Sequence, residues 1–222
     1  MKNKEGECVY CGITAMLTTE HVIPRCLFTE PRPDNMITVP VCKDCNGHKS
    51  SNDDYLRDFL VTDHRTSEHP VAKQIFLGKA LRSDRKNRST LLKLARQKGQ
   101  PVELVTKSGI YIENGFSAPL DGERICNILE DITKGLYFSF FDKRLPSNYE
   151  FDIIEFTQSD FELIQDEFKK LKFSEQYSCG GVFDCRGLKL QEDEFISVWL
   201  IWFYEKICFR IITEPSGFDW EL

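Results

Sequence analysis

Two pairs of cysteines constrain this chain more than any other feature of its sequence. Cys8 and Cys11 form the first pair, Cys42 and Cys45 form the second, and 30 residues separate the two pairs. Two residues between paired cysteines let both sulfurs reach one ion from a tight turn, and two such pairs complete a tetrahedral shell of four thiolates. The spacing therefore predicts a structural zinc ion, which can contribute on the order of 10 kcal/mol to the folding of so small a unit.

The cysteines favour a metal site over disulfides, because their number, nine, is odd and four of them form the two pairs in a chain that is expected to be unsecreted. The 222-residue chain starts with a charged segment, residues 1–7, that leads into no apolar stretch, so it is expected to be unsecreted and cytoplasmic. Its most apolar run, residues 195–204, is too short to span a bilayer, so no membrane contact is expected. The cysteines outside the two pairs are interpreted as ordinary buried thiols: Cys26, Cys126, Cys179, Cys185 and Cys208.

Polar residues suited to phosphodiester chemistry lie between and just after the two cysteine pairs. An acidic residue and a histidine precede Val22-Ile23-Pro24, an asparagine precedes the apolar stretch 37–41, and an asparagine and a lysine follow the second pair. In chain order these residues are Glu20, His21, Asn35, Asn46 and Lys49.

This order of residues resembles the HNH endonucleases, a ββα-metal family, in the branch whose hairpin and helix are tied by a zinc ion on four cysteines. Members of that branch look like Cys-x-x-Cys, an acidic-His-x-Ile-Pro element, an Asn before a short apolar strand, and then Cys-x-x-Cys-Asn-x-x-Lys. The match in order and register covers residues 8–49. It implies a metal-dependent endonuclease that hydrolyses phosphodiester bonds, with DNA as the expected substrate and RNA as the alternative.

The resemblance also implies catalytic roles. Phosphodiester hydrolysis needs a water molecule deprotonated near neutral pH and positive charge beside the developing phosphorane. His21 would be the general base, because an imidazole titrates near working pH. Glu20 and Asn46 would bind a hard divalent cation, Mg²⁺ or Mn²⁺, through oxygen atoms. His48 lies close to Asn46, so which of these two meets the cation stays open, with Asn46 favoured by register.

Three further residues take supporting roles by the same resemblance. Asn35 would pin the hairpin loop and so orient His21. Lys49, one helical turn beyond Asn46, and Arg25 would contact phosphate groups of the nucleic acid.

A strongly basic segment follows the motif, although the whole chain carries a net charge of −6. Residues 73–98 hold nine Lys or Arg and one acid, Asp84, so this segment is +8 and the remainder is −6 − 8 = −14. Lys and Arg bind phosphate without reading sequence, so the segment is predicted to contact the nucleic-acid backbone, with a solvated helix surface as the alternative. The predicted contacts in it are Arg82, Arg85, Lys86 and Arg88.

The predicted fold class is α+β. Residues 1–55 are assigned to the zinc-bound ββα-metal module, residues 56–100 to a basic helical segment, and residues 101–222 to an α+β domain with an antiparallel sheet. A helix capped by Asn52 is predicted at the end of the first module. In the last region the patterns predict a hairpin around 107–109, a helix capped by Asp121, a strand over 151–156, a helix over 160–171, and an antiparallel sheet over 181–213.

Two other functions are compatible with the same residues. One is a non-catalytic zinc module that binds nucleic acid or a protein. The other is a subunit of a defence complex that stays inactive until a partner engages residues 101–222. Residues 134–146 are similar to a stretch downstream of the HNH module in bacterial and phage proteins, which favours a genome-defence or mobile-element setting.

Overall fold

A small antiparallel sheet followed by a long helix forms the N-terminal part of the protein. In the computed structural model, β1 spans Glu5–Glu7, β2 spans Thr14–His21 and β3 spans Thr38–Cys42, in the order β1-β2-β3. Helix α1 follows directly and covers Lys43–Thr62. The residues that the structure describes are 4–80, 91, 93, 97–105, 108–117, 119–157, 160 and 170–218.

Helix α1 begins at the second cysteine pair because Cys42 caps it. The Cys42 sulfur accepts the backbone N–H of Cys45 at 3.4 Å, which satisfies one of the amide donors left unpaired at a helix N-terminus. The separate helix start predicted at Asn52 is therefore wrong. Residues 43–54 are almost entirely polar, so the hydrophobic periodicity that marks a helix appears only from Tyr55 onward.

The register between β2 and β3 places the motif histidine at the end of the hairpin. Leu17 pairs with Cys42 near the cysteine cluster, and His21 pairs with Thr38 at the opposite end. The connecting loop contains a short 3₁₀ helix at Arg25–Leu27.

The middle of the chain supplies further helices. A 3₁₀ turn at His64–Thr66 leads to α2, Pro70–Ile75, which continues as a π-helical turn at Phe76–Ala80. Helix α3 spans Gly122–Phe141. The predicted cap of this helix is confirmed, because the Asp121 carboxylate accepts the backbone N–H of Arg124 at 3.0 Å.

Two more antiparallel sheets confirm the α+β class and the predicted strands. A two-stranded sheet pairs β4 with β5, and a five-stranded sheet has the order β6-β10-β9-β8-β7. The predicted helix over 160–171 falls mainly on residues outside those described. The strand bounds are Gln100–Val105 (β4), Tyr111–Ser117 (β5), Tyr149–Phe156 (β6), Glu175–Cys179 (β7), Phe183–Lys189 (β8), Ser197–Phe203 (β9) and Ile207–Pro215 (β10).

One cluster of buried apolar side chains runs from the cysteine-bearing sheet to the C-terminal sheet. The buried hydroxyl of Tyr204 donates to the carbonyl of Leu27 at 2.9 Å, and so joins the five-stranded sheet to the loop after His21. The division of the chain near residue 100 stays a prediction.

Helix α3 packs closely behind the strand that carries the motif histidine. A Cβ on Gly135 would lie 2.6 Å from Cγ2 of Val22, far inside van der Waals contact. Glycine is therefore needed at this position of α3, because any side chain would displace Val22 and with it the neighbouring His21.

Candidate functional site

Four cysteines converge where β3 meets α1. The sulfurs of Cys8, Cys11, Cys42 and Cys45 all lie within 4.8 Å of one another, and those of Cys11 and Cys42 are 3.8 Å apart. A tetrahedral zinc ion with Zn–S bonds of about 2.3 Å sets its sulfurs about 3.8 Å apart. The cluster therefore has the geometry of a structural metal centre such as a zinc site.

The thiols of the cluster differ in how readily they lose their protons when no cation is bound. Burial raises the pKa of the Cys8 thiol, but hydrogen bonds from backbone groups of Cys11, Cys42 and Tyr10 outweigh this and lower it to about 7. Burial raises the pKa of the Cys45 thiol. Thiolates this close repel one another, so all four are stable together only when a cation neutralises them.

A cavity of about 410 Å³ opens beside α1 at the end of the β2–β3 hairpin. It brings together three motif residues, Glu20, His21 and Asn46, with Arg25 at its rim. Its full lining is Thr19, Glu20, His21, Arg25, Cys26, Asn46, Ser50, Asp53 and Asp54. The volume accommodates a hydrated cation, since each water occupies about 30 Å³.

The environment of His21 keeps its imidazole neutral. Burial lowers the pKa of His21, and the positive charges of Arg25, Lys49 and Arg32 lower it further. A group with a lowered pKa is deprotonated over a wider pH range, so His21 can accept a proton at neutral pH.

This environment predicts how His21 titrates. In protein without divalent cation, the imidazole is expected to titrate below the ordinary histidine value of about 6.5. Arg25→Gln removes an exposed positive charge and should move the pKa of His21 upward. NMR titration of the imidazole resonances checks both statements. A wild-type pKa above 6.5, or no upward movement in the variant, contradicts the electrostatic account of His21.

A hydrogen-bonded chain fixes the orientation of Asn46. The amide nitrogen of Asn46 donates to the hydroxyl oxygen of Thr18 at 2.8 Å, and the Thr18 hydroxyl donates to the carbonyl of Val41 at 3.1 Å. With its nitrogen engaged by β2, the amide has its carbonyl oxygen as the remaining polar atom. That oxygen is the kind of atom that Mg²⁺ or Mn²⁺ binds.

Other predicted site residues lie in different surroundings. His48 is exposed and Asn35 is exposed, and neither is among the described residues that line the cavity. The backbone carbonyl of Asn35 accepts a hydrogen bond from the hydroxyl of Tyr177 at 3.1 Å, so the loop that contains Asn35 is attached to the five-stranded sheet. The predicted backbone contacts Arg82, Arg85, Lys86 and Arg88 fall outside the described residues.

Lys49 lies in a place that the sequence does not suggest. Its side chain is only 3% exposed, and its ammonium contacts the carboxylates of Asp53, at 2.9 Å, and Glu20, at 3.7 Å. The predicted contact of Lys49 with a phosphate group stays a prediction. The burial of its ammonium favours contacts with neighbouring side chains of the protein.

Two acidic residues of the cavity were missed by sequence reasoning. Asp53 and Asp54 line it from the middle of α1. Asp53 follows Asn46 by seven residues and Lys49 by four, spacings that place all three on one face of a helix. This periodicity was the available signal.

Comparison of the chain with known protein families, curated proteins and solved structures gives no match, so comparison assigns it to no family. Among the described residues, no helix has both the length and the apolar character needed to cross a bilayer.

Proposed function

We propose that this chain is a divalent-metal-dependent endonuclease of the HNH type that hydrolyses phosphodiester bonds, with DNA as the substrate. The observation that supports this most strongly is the convergence of Glu20, His21 and Asn46 on one cavity. That cavity adjoins a hairpin and a helix joined by a four-cysteine cluster with the spacing of a zinc site.

In this proposal His21 is the general base. Its lowered pKa leaves the imidazole neutral at working pH, so a ring nitrogen of His21 can take the proton of an attacking water molecule. A positioned general base typically contributes about 10²–10⁴-fold to rate. Asn35 is proposed to keep the hairpin loop in place; its backbone carbonyl accepts the Tyr177 hydroxyl, a contact that holds this loop without using the Asn35 side chain.

Glu20 and Asn46 are proposed to hold the catalytic cation, Mg²⁺ or Mn²⁺. Both line the cavity, both offer oxygen atoms, and the bond from Asn46 to Thr18 fixes the amide before any ligand binds. When bound there, the cation would supply positive charge to the phosphorane and to the leaving oxygen.

The substrate is proposed to enter along the exposed side of the cavity. Arg25 is exposed at the rim and is positioned to meet a phosphate group. The basic segment 73–98, with a charge of +8, is proposed to bind the nucleic-acid backbone beyond it. Residues 101–222 are proposed as the region that a protein partner engages, in a genome-defence or mobile-element setting.

Cleavage of supercoiled plasmid tests the proposal. Purified protein that contains one zinc ion per chain should convert the plasmid to nicked or linear product in Mg²⁺ or Mn²⁺, and should leave it intact in buffer without divalent cation. A parallel reaction on single-stranded RNA tests the preference for DNA.

The opposite result identifies the alternative function. Salt-sensitive binding of DNA by folded, zinc-loaded protein, with no product in either cation, would contradict the nuclease proposal. It would support one of the two alternatives, a non-catalytic zinc module that binds nucleic acid or a subunit that stays inactive until a partner engages residues 101–222.

A further inference from the structure

A buried lysine contacts two partly buried carboxylates that line the proposed catalytic cavity. Lys49 lies on α1 with its ammonium between Glu20 of β2 and Asp53, one helical turn further along α1. The Glu20 side chain is 13% exposed and the Asp53 side chain 18% exposed. Water therefore screens these three charges weakly, and their mutual contacts decide where the ammonium lies.

The ammonium is shared unequally between the two acids. Lys49 donates a hydrogen bond to Asp53 Oδ1 at 2.9 Å, whereas its distance to Glu20 Oε1 is 3.7 Å, outside hydrogen-bond length. Asp53 is thus the main partner of Lys49. Glu20, the acid proposed to bind the catalytic cation, keeps its carboxylate without a short bond to the ammonium.

Negative charge exceeds positive charge around this lysine. The Tyr10 hydroxyl is buried with no hydrogen-bond partner among the described residues; burial raises its pKa most, and the negative charges of Asp131, Glu20 and Asp53 raise it further. Lys49 contacts two carboxylates, those of Glu20 and Asp53, so its single positive charge offsets only one of their two negative charges.

We infer that Asp53 is a positioning residue that draws Lys49 away from Glu20 and so keeps the Glu20 carboxylate available to a divalent cation. This inference rests on the proposed function, because it assigns Glu20 as a cation ligand. It gives Lys49 the role of a competing internal cation, whose position Asp53 determines. It also explains how a lysine is tolerated one helical turn from Asn46 without blocking the site.

The inference distinguishes Asp53 from a residue that only stabilises the fold. In Asp53→Asn, the ammonium loses its charged partner, and Glu20 becomes the nearest carboxylate. Lys49 then pairs with Glu20 and competes with the divalent cation. Affinity for Mn²⁺ should fall by about tenfold or more, the size of effect seen when an outer partner of a metal ligand is lost.

Removing the lysine should reverse the effect. In the double variant K49M/D53N no ammonium competes for Glu20, so Mn²⁺ affinity should return to within about threefold of wild type. Lys49→Met alone should bind Mn²⁺ at least as tightly as wild type. A residue with a purely structural role gives no such recovery, because the second substitution would add damage.

Asp54→Asn is the matched control. Asp54 also lines the cavity and loses the same charge, but its partner is Arg57, and its side chain is 51% exposed. Its substitution should weaken Mn²⁺ binding by less than Asp53→Asn does, since it leaves the Lys49 contacts intact. Zinc content and the circular dichroism spectrum establish that each variant is folded.

The test measures the affinity of zinc-loaded protein for Mn²⁺ by electron paramagnetic resonance. A tenfold loss in Asp53→Asn with recovery in the double variant supports the inference. Unchanged affinity in Asp53→Asn, or a double variant no better than Asp53→Asn, overturns the inference while leaving the proposed function intact. Failure of folded wild-type protein to bind Mn²⁺ overturns both the inference about Asp53 and the proposed function.

Discussion

Cys42→Ser is expected to abolish zinc binding and to unfold the N-terminal part of the protein. The sulfur of Cys42 is one of four that lie within 4.8 Å of one another, and it sits where β3 passes into α1. Binding of a structural zinc ion stabilises small domains by about 10–16 kcal/mol, which is comparable to or above the typical stability of a whole protein, about 5–15 kcal/mol. Zinc content and the thermal unfolding transition measure the effect.

Serine is an informative replacement because it separates two roles of Cys42. The serine hydroxyl can still accept the N–H of Cys45 and cap α1. A loss of zinc content and of thermal stability therefore reports on the metal centre and not on the helix cap. Cys126→Ser is the control, since Cys126 is half-buried on α3 and lies outside the four-cysteine cluster. Full zinc content and an unchanged transition in Cys42→Ser would show that the cluster is not a structural zinc site.

The cysteine cluster and the α+β class could be predicted because their signals are local. The spacing within each cysteine pair fixes a turn, and two such turns suffice to define a tetrahedral site. Helix α3 was likewise predictable, because Asp121 precedes apolar residues at helical spacing.

The buried position of Lys49 beside the cavity could not be predicted from local sequence patterns. Lysine is almost always exposed, so nothing in the sequence places Lys49 inside the protein. Its burial depends on the way β2, α1 and their neighbours pack together. The hydrogen bond between Tyr204 and Leu27 joins residues 177 positions apart, and no local pattern predicts such a contact.

His21→Ala is expected to reduce cleavage of DNA by about 10²–10⁴-fold, the usual contribution of a general base. The substitution removes the only imidazole among the described residues that line the cavity, while Glu20 and Asn46 remain to bind the cation. His21 is half-buried at the end of β2, away from the cysteine cluster, so zinc content and the fold should persist. Single-turnover cleavage of plasmid measures the loss.

The most direct test of the central claim compares wild type, His21→Ala and His64→Ala in one plasmid-cleavage assay with Mg²⁺. His64 is the control, because its side chain is 62% exposed and lies beyond the end of α1. The proposed mechanism predicts metal-dependent cleavage by wild type and His64→Ala, and loss of cleavage in a folded, zinc-loaded His21→Ala. Cleavage by His21→Ala at the wild-type rate would contradict the assignment of this cavity as the active site.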